Sequence, residues 1–188
     1  MITVISRGLL LVLVLLFAGS ALALERQIAV REFSLTQGVL REQLVASMRF
    51  DYTLGDEMRD SLLNGVTLVN EIRFDLVTHS AWWWDSKVRL DSIVTELKYH
   101  ALSRNYQLLD RHSKESWNFS SLPAALAFMG TVNNHRLPLI PMEAFGNDSA
   151  IFVSAVLGPK NDGAFSITSM FSGKTELVSQ GIMWPLTQ

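Results

Sequence analysis

No cysteine occurs among the 188 residues. Disulfide staples, thiolate metal sites and a cysteine nucleophile are thereby excluded, and so is lipid attachment at a cysteine. Basic runs are missing as well. Sixteen Lys and Arg stand against 18 Asp and Glu, a formal charge of −2, which offers a phosphate backbone little and sets nucleic acid aside as a partner. Catalytic signatures are equally scarce. The four histidines, His79, His100, His112 and His135, show no HExxH or other paired metal spacing, and there is no GxSxG and no phosphate-cradling glycine loop. The set His79, Ser80 and Asp85 is close only along the chain, whereas a triad is defined by geometry. The expectation is a non-enzymatic protein with no catalytic residue, no metal and no cofactor.

One long apolar run is present, and it stands at the start. Arg7 precedes an unbroken apolar stretch from Leu9 to Ala18, followed by Gly19, Ser20 and the small-residue pattern Ala21-Leu22-Ala23. That order makes residues 1–23 a secretory signal peptide, with cleavage expected after Ala23. The competing reading is a retained membrane anchor, since Gly8 to Leu24 gives 17 residues without a charge, at the lower edge of the roughly 20 that span a bilayer. Either way the expected location is exported: the periplasm, or the outer face of the inner membrane if the leader stays. Membrane contact is expected only through residues 1–23. Residues 24–188 then form a single β-rich domain, large enough to bury about 70% of its unfolded surface.

Period-two alternation dominates that domain. Leu44, Ala46, Met48, Phe50 and Tyr52 face one way and Gln43, Ser47, Arg49 and Asp51 the other, as in a half-buried strand. In "GVTLVNEIRFDLV", Leu68, Ile72, Phe74 and Leu76 form an inner face, and Glu71, Arg73 and Asp75 an outer ladder of solvated cross-strand pairs. Apolar phase then slips near Asp91-Ser92, from even Val88 and Leu90 to odd Ile93, Leu97 and Tyr99, which calls for a bulge or a change of sheet. A turn at Ser103-Arg104-Asn105 returns the chain as a hairpin. Further strands are expected at 27–36, 114–119, 151–157, 164–171 and 176–184. Short helices are expected in "TLGDEMRDSLLNG", with Met58 and Leu62 on one face and Gly65 as the stop, and in "SSLPAALAFMG", with Ser121 as cap and Gly130 as exit. The segment 137–150 reads as the longest loop. The fold class is mainly β: an antiparallel two-sheet sandwich, Ig-like in general architecture, with two short helices and an N-terminal signal helix.

Candidate sites centre on "AWWWDSK", residues 81–87. On a strand, Trp82 and Trp84 share a face and Trp83 takes the other. The register places Trp82 and Trp84 inward, as a structural aromatic cluster with Tyr99 and Tyr106. Trp83 then points outward beside Asp85, where a flat indole can stack on a sugar or anchor a protein partner. His100 and Arg104 flank the hairpin turn. They read either as a polar patch for an anionic group or as turn chemistry, with Arg104 satisfied by carbonyls or by the Tyr106 ring.

The run Tyr99-His100-Ala101-Leu102-Ser103-Arg104-Asn105-Tyr106, together with Trp83-Trp84-Asp85, carries a resemblance. Gly65-Val66, Leu122, Ala125-Leu126, Leu137-Pro138 and Trp184 agree more loosely. On these residues the chain resembles an exported proteobacterial family, domain of unknown function 4390. The resemblance implies no activity, but members are often encoded near a membrane sensor kinase, an association that implies a role accessory to a membrane signalling protein. The functional expectation is an envelope protein-interaction module that binds another envelope protein through Trp83, Asp85, His100 and Arg104. The alternative is cell-wall glycan or small-ligand binding on the exposed aromatic platform.

Overall fold

Alternation of the kind seen in residues 44–52 makes a strand because every second side chain leaves water together. In the computed structural model, which describes residues 27–40, 42–78, 86–145, 148–160 and 176–186, that logic is repeated ten times. The strands among the described residues are β1 (Gln27–Gln37), β2 (Leu44–Thr53), β3 (Leu68–Thr78), β4 (Ser86–His100), β5 (Asn105–Asp110), β6 (Ser116–Phe119), β7 (Thr131–Arg136), β8 (Ser149–Pro159), β9 (Leu177–Val178) and β10 (Ile182–Pro185). Two helices join them: α1 (Asp56–Leu63) between β2 and β3, and α2 (Leu122–Met129) between β6 and β7. All pairings are antiparallel, in a three-stranded sheet β1-β2-β7 and a seven-stranded sheet β10-β8-β3-β4-β5-β6 with β9 beside β8. This is the expected antiparallel sandwich. The expected leader 1–23, Trp82, Trp83, Trp84, Asp85, His79 and the strand at 164–171 lie outside the described residues.

The inner faces follow the sequence pattern. Leu44, Ala46, Met48, Phe50 and Tyr52 of β2 are buried against Leu68, Ile72 and Phe74 of β3 and Leu97 of β4 in one core. The slip of phase in β4 is a bulge within a continuous strand. Phe74 pairs with Asp91 and Asp75 with Arg89, so Leu90 is the extra residue. Odd side chains before it point outward and odd side chains after it point inward, as two residues facing one partner residue require.

Both helices seat short apolar faces on this core. Met58 and Leu62 are the buried residues of α1, whose first turn holds Asp56 and Glu57 at the positive end of the dipole. Gly65, at φ +93°, then turns the chain in the left-handed conformation that glycine adopts readily. In α2, Ser121 accepts the Ala124 N–H, and Gly130 lies against the Phe50 carbonyl of β2, where a Cβ would stand 2.1 Å away.

Three findings depart from the sequence expectations. Strand β7 is absent from them, because "TVNNHR" has one apolar residue in six. It pairs with β2 at both ends and breaks register between, with Asn134 at φ +52° and its N–H donating to Ser47 Oγ. Within the expected loop 137–150, the described residues 137–145 bury Leu137, Ile140 and Ala144 and hold a 3₁₀ turn at Met142–Phe145, and β8 already begins at Ser149. Asp75 of the outer ladder, expected in water, is almost fully buried. Arg89 bonds one carboxylate oxygen, and the Lys87 ammonium lies 3.1 Å from the other as an ion pair outside hydrogen-bond geometry.

Candidate functional site

Neither sheet edge is treated alike. At one side the core is closed, where Trp184 of β10 meets Phe33 of β1 edge to face at 5.6 Å. The other side stays open. There β7 ends the smaller sheet while the larger one continues through β4, β5 and β6, and α2 bridges only part of the gap.

A cleft of about 610 Å³ fills that opening. Its floor is β4, reached by the inward turn that follows the bulge at Leu90. Asp91 is the first residue of the inward series, and its Oδ2 lies 2.9 Å from His135 Nε2 on β7. The His135 ring stacks on Phe74 with centroids 5.3 Å apart at 18°, and Asp91 Oδ1 accepts the Ser92 N–H at 2.7 Å. Imidazole and carboxylate are thus fixed by contacts on two sheets. Asp110 forms the second acidic corner, where its Oδ1 accepts the His112 and Ser113 N–H groups at 2.7 and 2.8 Å. Opposite stands an aromatic wall. Trp117 of β6 lies 5.0 Å from Phe128 of α2, and Phe128 lies 5.2 Å from Phe119. Phe128 is 44% exposed, a large ring that the fold leaves in water.

The arrangement is that of a grip. A half-exposed ring wall faces preorganised carboxylates and the His135 imidazole across a space wide enough for a side chain or a sugar ring. Among the described residues no hydroxyl is hydrogen-bonded to the His135 ring, and no group of three His, Asp or Glu could hold a metal ion.

Of the four residues expected to bind, His100 and Arg104 of the hairpin lie among the described residues. The Tyr99 and Tyr106 rings pack at 4.9 Å on the core side. His100 faces the other side of the sheet, its Nε2 2.9 Å from Gln107 Oε1. Arg104 sits in the turn at φ +51°, and no hydrogen bond or cation–π contact among the described residues joins it to Tyr106. The turn therefore closes on the tyrosine pair and on the Ser103 hydroxyl, which donates to Asn105 Oδ1. What sequence reasoning missed is the set Asp91, Asp110, Trp117, Phe128 and His135. Its one legible signal was the phase slip, which delivers Asp91 to the inner face.

No curated protein matches the chain, and no solved structure does. A family model matches residues 25–153, more than half of the chain and a span that includes every residue of the open-side cleft. The chain belongs to the family described as Domain of unknown function (DUF4390).

Proposed function

We propose that the protein is a non-enzymatic interaction module of the cell envelope, exported by residues 1–23, which docks another envelope protein in the open-side cleft. The observation that carries this reading is the exposed Phe128 beside Trp117, facing the His135–Asp91 pair. Aromatic anchors at the centre of a concave, partly polar patch are what protein interfaces bury. Trp83 and Asp85 enter the proposal as further contacts, and His100 and Arg104 as a separate polar edge.

The test replaces Phe128 by Ala in the full-length chain and compares photo-crosslinked partners and thermal stability. The expected result is loss of the crosslinked species with the melting temperature nearly unchanged, because the ring is already half in solvent. An unaltered crosslinking pattern in both F128A and W117A overturns the reading.

A second reading rests on the same wall. Trp117 with Asp110 and Arg136 at the cleft also suits a cell-wall sugar, stacked on the indole and hydrogen-bonded at its rim. Wall fragments that leave tryptophan emission unchanged at saturation exclude it.

A further inference from the structure

The outer face of the larger sheet, turned away from the smaller one, carries its charges at two heights. Glu71, Asp75 and Glu96 lie low, with side-chain exposures of 19%, 3% and 12%. Their basic partners stand above them, at 33% for Arg73, 52% for Lys87, 46% for Arg89, 51% for Arg111 and 38% for Lys160. Each acid holds two bases. Glu71 takes Arg73 at 2.6 Å and Arg89 at 3.1 Å, Asp75 takes Arg89 and Lys87, and Glu96 takes Arg111 at 3.2 Å and Lys160 at 3.1 Å. Lys98, outward because Leu97 is inward, is exposed and has no ion-pair partner among the described residues. Glu176, whose side chain covers Gly158, adds a carboxylate at the far end. Six cations against four carboxylates thus make a positive face on a chain whose formal charge is −2.

Extent and relief matter as much as sign. From Lys87 to Lys98 the array runs roughly 35 Å along β4 at the rise of an antiparallel strand. Small side chains, Ser92, Val94, Ser154 and Val156, floor it between the cations. Its one described Phe, Tyr or Trp ring, Phe152, is capped by the Lys87 ammonium 4.4 Å above the centroid, so it is not free as an aromatic anchor. A long cationic surface with no open aromatic anchor among its described residues suits a distributed anion better than a single protein hot spot.

We propose that this face docks on a phospholipid surface carrying anionic head groups. Guanidinium and ammonium groups held upright by sunken carboxylates meet lipid phosphates there, and the opposite, open-side cleft is left to the partner. The proposal is independent of what the cleft binds.

The test sediments full-length protein with vesicles of phosphatidylcholine alone and with an admixture of phosphatidylglycerol, so that the apolar contribution of residues 1–23 is common to both and the lysine variants below separate the face from Arg7. Added phosphatidylglycerol is expected to tighten binding, and the gain to vanish near 1 M salt, where the screening length falls to about 3 Å. Each basic residue near an anionic surface contributes about fivefold, so K87Q/K98Q/K160Q loses on the order of 100-fold while K87R/K98R/K160R keeps the affinity. Equal binding to both vesicle types, a salt-independent gain, or loss in the arginine variant overturns the proposal. Should the glutamine variant misfold by circular dichroism, the salt titration of the unaltered chain decides alone. Polyglutamate that displaces the protein as well as anionic vesicles do would assign the face to an acidic polypeptide instead.

Discussion

Removing the Tyr52 hydroxyl should destabilise the fold without disturbing its packing. Tyr52 of β2 donates at 2.8 Å to Asn70 Oδ1 of β3, and Asn70 donates in turn to Thr95 Oγ1 of β4 at 3.4 Å. Asn70 has no exposed surface, and this polar chain ties the two sheets through an otherwise apolar core. Tyr52→Phe keeps the ring and strips the partner from a fully buried amide oxygen, at a cost of about 1–3 kcal/mol. For a domain of this size each kcal/mol lowers the melting temperature by about 2–4 °C, so a drop of roughly 2–12 °C is expected. Asn70→Leu makes the converse error and orphans the hydroxyl. The double variant Y52F/N70L has neither orphan and should lose less than the two single changes together, by a coupling of about 1 kcal/mol or more. Urea unfolding followed by far-ultraviolet circular dichroism measures all four corners of the cycle. Additive losses within error would refute the claim that these two side chains meet in the core.

The same group gives an alkaline signature. Burial raises the Tyr52 hydroxyl above the ordinary tyrosine value, and the Asn70 hydrogen bond lowers it by less. The folded state therefore holds this proton more tightly than the unfolded chain, whose tyrosines titrate near 10. Stability is present in full below that pH and declines above it as the unfolded state ionises, a slope that Tyr52→Phe should reduce.

Two glycines should fail for different reasons. Gly130→Ala meets the Phe50 carbonyl at 2.1 Å and should cost about 1–3 kcal/mol or more through overpacking, whereas Gly65→Ala, in open space at φ +93°, should cost about 1 kcal/mol through backbone strain. Thermal melts rank the pair, and a larger loss at Gly65 would contradict the close seat of α2 on β2. Ser121→Ala should lose only about 0.5 kcal/mol, the low end for an N-cap, because its bond to the Ala124 N–H is 3.4 Å long. A loss several times larger would mean that the cap does more than this geometry allows.

How much of this was legible in advance follows from how each element is stabilised. Strands β2 and β3 were readable because their inner faces are apolar at nearly every second position, and burial alone fixes their phase. The bulge in β4 was readable for the same reason, as a broken phase. Asn70 hid within the inner face of β3, since a lone polar residue at an apolar position gives no hint of its partners. Strand β7 was opaque: it is held by pairing with β2 and by the His135–Asp91 contact, and neither is written in the local composition of "TVNNHR". The site was missed with it. An open-side cleft is defined by which strand ends a sheet, a property of topology that period and propensity do not carry, whereas the tryptophan run drew the eye by composition alone.

The two-residue irregularity at Asn133 and Asn134 has a consequence for life in a crowded compartment. A straight outer strand would present an unbroken row of amide and carbonyl groups, a template on which neighbouring molecules could polymerise. With that row interrupted midway, recruitment of a second copy by main-chain zippering is discouraged, and recognition on this flank is left to side-chain chemistry. Cutting out the irregularity should thus yield a protein that still folds when dilute but forms fibres when concentrated.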